Sequence, residues 1–115
     1  MEKPKQIINY PVNRYSCSVI INDLWFTELV ISQYYKIKKG RSEINDEIIQ
    51  ELVQKLQYIN KDFRRMKNNY YSYEPLYIDH RAYNLVWDYD KEKINKNLLI
   101  INCYRERKFD KKKND

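Results

Sequence analysis

Two short stretches hold the residue types that can move a proton and steady a phosphate. The first is the run DHRAY, with His80, Arg81 and Tyr83; the second is CYRER, with Tyr104, Arg105 and Arg107. Cleavage of RNA by its own 2′-hydroxyl needs no more than such groups. One group takes the hydroxyl proton, a cation steadies the charge that builds on the phosphate, and another protonates the leaving oxygen. His80, Tyr83, Tyr104, Arg105 and Arg107 are therefore the catalytic candidates. Plainer readings stand beside this one: His80 as an exposed turn residue, and Arg105 and Arg107 as ordinary edge charges.

Other chemistries lack their residues. One His and two dispersed Cys give no zinc spacing, and the carboxylates form no calcium loop. A phosphate-cradling loop needs several glycines, whereas Gly40 is the single one. No serine sits in a nucleophile elbow. Cys17 and Cys103 fall in apolar, strand-like segments and read as buried reduced thiols rather than a disulfide or a metal site. The expected chemistry thus uses no cofactor and no metal.

Cations and tyrosines supply a binding surface. Lys and Arg number 22 against 16 Asp and Glu, a net charge of +6, which favours a polyanionic partner. Lys36, Lys38, Lys39, Arg64, Arg65, Lys67 and Arg81 are suited to tracking a nucleic-acid backbone. Tyr34, Tyr35, Tyr70, Tyr71 and Tyr73, among 12 tyrosines, are suited to stacking on unpaired bases. Each group taken singly also reads as solvated surface, and sheet tyrosines also pack on the protein itself. No apolar run approaches the roughly 20 residues that span a bilayer. Met1 to Ile8 holds no long apolar stretch of a secretory signal. The expected location is the cytoplasm, with no membrane partner.

The elements that must position these residues follow from spacing. A chain of 115 residues, 43% hydrophobic, fits one domain. Residues 1–14, with Pro4 and Pro11, read as a loose arm, 15–107 as the domain, and 108–115 as a charged, mobile tail. YSCSVII and LWFTELVI, joined by Asn22-Asp23, predict a β-hairpin. Ile48, Ile49, Leu52, Val53 and Leu56 recur at helical spacing after Ser42 or Asn45 as a cap, with Glu43, Asp46 and Glu47 near the helix N-terminus. Ile59 and Phe63 extend that stripe, and Lys61 to Asn69 reads as a connection or a fraying helix end. Tyr71–Ile78, Ala82–Tyr89 and Leu98–Arg105 predict a three-stranded antiparallel meander, whose last strand is apolar enough for the sheet centre. The class is α+β, one main helix packed on one face of a largely antiparallel sheet. Pairing of the last two strands would set His80–Tyr83 beside Tyr104–Arg107.

FTELVIS through INDEIIQELVQKL, then EPLYIDHRAYNLVWDYD and LLIINCYRER, resembles the RelE/ParE-like toxin superfamily of bacterial toxin–antitoxin pairs, over about residues 24–107. HRAYNLVW and INCYRER carry most of the likeness. The resemblance implies a curved antiparallel sheet with helices on one face, endoribonuclease action on messenger RNA and a cognate antitoxin. By position it transfers Tyr83, Tyr104 and Arg105. Asn84 stands where the family commonly has arginine, and one helix is evident where many members have two.

Three functions stay open: a toxin-like, metal-independent endoribonuclease acting on mRNA; an RNA- or ribosome-binding module without catalysis; and a protein-interaction module of a phage-defence or immunity type.

Overall fold

The computed structural model describes residues 10–59, 64–65, 70–90 and 96–112, with the backbone alone for 64–65. Strands β1 (Val12–Ile21) and β2 (Leu24–Ser32) pair antiparallel. Asn22 and Asp23 turn the chain at φ 50° and 68°, the left-handed pair that a two-residue hairpin needs and that short polar side chains tolerate. The strand begins earlier than expected. Val12, Asn13 and Arg14 lie beside Ser32, Ile31 and Val30, and Gln33 N–H donates to the Pro11 carbonyl at 2.9 Å. β2 is long enough to pair these residues, so the loose arm expected through residue 14 is strand from Val12. Residues 1–9 lie outside the described residues.

Helix α1 (Asp46–Leu56) is the single α-helix among the described residues. Asn45 caps it, its side-chain oxygen accepting from Ile48 N–H at 2.8 Å. Ile49, Leu52, Val53 and Leu56 are buried, as their spacing predicts. The helix closes with tighter bonds, Tyr58 N–H to Lys55 and Ile59 N–H to Leu56. Ile59 still packs on the core, and Phe63 lies outside the described residues.

Strands β3 (Arg64–Arg65), β4 (Tyr71–Ile78), β5 (Arg81–Tyr89) and β6 (Asn97–Arg105) complete the sheet, in the order β1-β2-β6-β5-β4-β3. β3 is a two-residue edge, so the substance of the sheet is five strands. Asp79, at φ 56°, turns β4 into β5. The β4 ladder slips between Tyr73 and Leu76, where Pro75 has no N–H to give.

The α+β class with one helix holds, but the sheet is mixed rather than largely antiparallel. Glu28–Ile31 of β2 runs parallel to Asn97–Ile100 of β6. A continuously apolar strand needs a neighbour on each side. With β5 on one edge of β6, Leu29 and Ile31 supply the other.

α1 covers one face, where Leu29, Ile31, Tyr83, Leu85, Trp87, Leu98, Ile100 and Cys103 form the main core with it. A smaller cluster occupies the second face: Tyr70, Val86 and Ile101, with Tyr34, Leu99 and Tyr104 packed against them. Ile101 lies at a register slip between β5 and β6. After β6 the chain does not leave the sheet. Arg107–Phe109 make a 3-10 turn, Tyr77 OH donates to the Phe109 carbonyl at 2.8 Å, and Lys111 N–H donates to the His80 carbonyl at 2.8 Å. The tail expected to be mobile from Lys108 is thus tied to the β4–β5 turn as far as Lys111, because backbone groups there meet partners. Residues 113–115 lie outside the described residues.

Candidate nucleic-acid interface at the sheet end

Parallel pairing of β2 with β6, and antiparallel pairing of β6 with β5, put the end of β2, the end of β6 and the start of β5 at one end of the sheet. The segments singled out in the sequence meet there. Tyr83 pairs with Arg105, Asn84 with Tyr104, and Glu106 N–H continues the ladder to the Ala82 carbonyl at 2.9 Å. A short 3-10 helix, Gln33–Ile37, leaves β2 at the same end, with the Ser32 hydroxyl accepting from Tyr34 N–H. It carries Lys36, and Lys38 and Lys39 follow; all three are exposed.

Strand alternation divides the candidates between the two faces. Tyr83 and Arg105 belong to the α1 side, whereas Tyr104 belongs to the second face. Tyr83 is buried, and the Arg105 guanidinium lies 5.4 Å from its ring centre. The Arg105 side chain is only 5% exposed and is fully engaged. It donates to Glu43 at 2.8 Å, to the Asp110 carboxylate, and to the Ala82 carbonyl at 3.3 Å. Arg107 also pairs with Glu43, and Arg81 lies 3.8 Å from it. Asp110 further accepts from Ala82 N–H at 2.7 Å. That bond, then the Arg105 guanidinium, holds its carboxyl below the ordinary aspartate value. His80 is half-buried in the Asp79–His80 turn, on the Asp110 side of this cluster.

On the second face the cations lie over rings. Lys38 Nζ stands 4.9 Å from the Tyr34 centre, and the Arg41 guanidinium 4.8 Å from the Tyr104 centre. Arg41 Nε also donates to Asn102 Oδ1 at 3.5 Å. Tyr10 leans on Tyr34 with centres 4.9 Å apart. Beside Tyr104 across the ladder, Asn84 is 3% exposed and donates through Nδ2 to Glu74 at 3.1 Å, while its Oδ1 has no hydrogen-bond partner. Glu74 in turn bonds Glu106. That hydrogen bond, with burial and the Glu74 charge, raises the Glu106 carboxyl above its ordinary value.

The remaining tyrosines are spread out. Tyr35 is buried and donates to Asp46 at 2.7 Å; burial, then that bond, pushes its hydroxyl well up. Tyr70 is buried in the second-face cluster, and Tyr71 stacks on Tyr89 with centres 5.3 Å apart. Tyr73 packs against the main core. Tyr34 is therefore the member of that set at the cationic sheet end with a half-exposed ring. The Arg64 and Arg65 side chains and Lys67 lie outside the described residues. Burial pushes the Cys103 thiol up to about 12 and raises Cys17 as well, which keeps both protonated and unreactive. Among the described residues no three His, Cys, Asp or Glu gather closely enough to hold a metal ion, and no helix is long and apolar enough to cross a membrane.

Sequence reasoning missed Arg41, Glu43, Glu74, Glu106 and Asp110 as members of this site. Asp110, three residues past CYRER, was a usable signal, since a strand-end arginine that becomes buried needs a counter-ion close by. Nothing local marks Glu43 or Arg41, which reach the site through chain folding. No protein-family model matches this chain, and no curated protein or solved structure matches it either.

Proposed function

We propose that this chain binds single-stranded RNA at the sheet end described above. The observation that carries the reading is the pairing of half-exposed rings with cations, Lys38 at Tyr34 and Arg41 at Tyr104, beside exposed Lys36 and Lys39. Aromatic faces take bases of any sequence, and lysines and arginines track the phosphates between them. The net charge of +6 supports a polyanionic partner of this kind.

A second reading adds cleavage, in the manner that the resemblance to RelE/ParE-like toxins implies, with mRNA as substrate and a cognate antitoxin as neutralising partner. One observation favours it. Glu106 shares a hydrogen bond with Glu74, which favours its protonated form, and it lies two residues from Tyr104. A carboxyl whose protonated form is favoured in this way is the kind of group that can donate a proton to a leaving 5′-oxygen. Arg105 and Arg107, expected as catalytic cations, have their charges engaged by Glu43 and Asp110.

One experiment separates the readings. Fluorescence anisotropy with a labelled, unstructured RNA oligonucleotide should show binding that weakens steeply with salt. Tyr104→Ala should lose about 1–3 kcal/mol of it, the worth of one stacked base. The same mixture on a denaturing gel reports cleavage, which Glu106→Gln should slow if the second reading holds. Tight binding that ignores both salt and Tyr104→Ala would sink the proposal.

A further inference from the structure

Glu43 holds an unusual position. Its carboxylate meets three guanidinium groups from separate points of the chain: Arg105 at the end of β6, Arg107 just beyond, and Arg81 at the start of β5. Arg105 is the floor, with its side chain 5% exposed, whereas Arg81 and Arg107 are 52% and 64% exposed and form an open rim. Among the described residues the other acid in contact is Asp110, which takes the second terminal nitrogen of Arg105. Three positive charges thus face two negative ones, and the excess lies on the solvent side.

The geometry points to a phosphate seat in which Glu43 is the resting occupant: Arg81, Arg105 and Arg107 take a terminal phosphate monoester once the Glu43 side chain swings out. A carboxylate presents two oxygens and one charge to these donors. A phosphate monoester presents three oxygens and close to two charges, which balances three guanidiniums against Asp110 alone. An internal phosphodiester, with one charge, gains no such balance over the carboxylate already there. Ile44 is buried and Asn45 caps α1, so the backbone beyond Glu43 is fixed, while its half-exposed side chain can rotate into solvent. Asp110 and the Ala82 carbonyl keep Arg105 in place when Glu43 leaves. This inference deepens the proposed RNA binding by naming a phosphorylated RNA end as the feature recognised at the sheet end.

The test is Glu43→Gln, which keeps the shape of the side chain and removes its charge. Inorganic phosphate, followed by phosphorus NMR on the full chain, should bind the variant about tenfold or more tightly than wild type, since a charge a few ångströms away is removed. Adding Arg107→Ala to the variant should erase the gain. Equal phosphate affinity in wild type and Glu43→Gln, with unchanged melting, overturns the seat. A gain that survives Arg107→Ala also overturns it. Should Glu43→Gln fold poorly, Glu43→Ala removes the carboxylate altogether, and a folded Glu43→Ala with no gain is equally fatal. A second arm compares RNA oligonucleotides with and without a terminal phosphate on Glu43→Gln. Preference for the phosphorylated end supports the inference, and equal binding of the two overturns its choice of ligand. Tighter phosphate binding without any RNA binding leaves the seat standing and removes the RNA reading instead.

Discussion

Asp46 is where a single substitution should do most damage for its size. It opens α1, and its carboxylate accepts from Asn13 Nδ2 at 2.7 Å, Tyr15 OH at 2.6 Å, Tyr35 OH at 2.7 Å and Gln33 Nε2 at 3.3 Å. It therefore fastens the helix start to β1 and to the 3-10 helix at once. In Asp46→Ala the buried Tyr35 hydroxyl loses its charged partner, at about 1–3 kcal/mol. The helix start loses a favourable charge, at about 0.3–1 kcal/mol. The whole should come to about 3 kcal/mol, a fall of about 12 °C in Tm for a chain of this size. The pH dependence has a definite sign. Burial alone would raise the Asp46 carboxyl, but the hydrogen bonds from Tyr15, Asn13, Tyr35 and Gln33 outweigh it and hold the carboxyl below its ordinary value. A depressed folded value gives stability that is present above about pH 4, the unfolded value, and lost as pH falls through the folded one. Wild type should thus weaken below about pH 4 more steeply than Asp46→Asn does. Thermal melts followed by circular dichroism from pH 2 to 7 measure both effects. A Tm for Asp46→Ala within about 2 °C of wild type at pH 7 would refute the reasoning. So would additive losses in the double variant with Tyr35→Phe, because partners in one bond must couple.

Three further expectations can be checked on the same instrument. Arg105→Ala removes the buried side of an ion pair whose carboxylates, Glu43 and Asp110, are partly exposed and can rehydrate, which should cost about 1–3 kcal/mol; no measurable loss would mean that Arg105 is not held as described. Glu106→Gln keeps a hydrogen-bonding partner for Glu74 and removes an ionisation that the fold disfavours. A raised folded value gives stability that is present below the unfolded value and lost as pH rises through the folded one, so variant and wild type should melt alike near pH 4 and separate, the variant higher, toward pH 8. Gly40 has φ 80° with open space where a Cβ would stand, so Gly40→Ala should cost about 1 kcal/mol through backbone strain alone, and Gly40→Asn less.

Much of the fold was legible because its signals are local. Ile49, Leu52, Val53 and Leu56 lie on one helical face, Asn45 is a good cap, and Asn22-Asp23 suits a tight turn; each needs only its neighbours in sequence. The parallel pairing of β2 with β6 was not legible, because it joins Glu28 to Asn97 across nearly the whole domain and no turn residue announces it. That pairing decides the candidate site. It brings the lysines after β2 to the arginines after β6, and lets one loop send Arg41 to Tyr104 and Glu43 to Arg105. Sequence counts charges but not their partners, so Lys36 and Arg105 read alike as basic residues near tyrosines. In the structure Lys36 is exposed, while Arg105 is buried and paired with two half-exposed carboxylates. The exposed lysines can draw a polyanion, and the buried arginine can hold the sheet end rigid. What joins the two roles is the carboxylate of Glu43, on which an exposed Arg107 and a buried Arg105 converge.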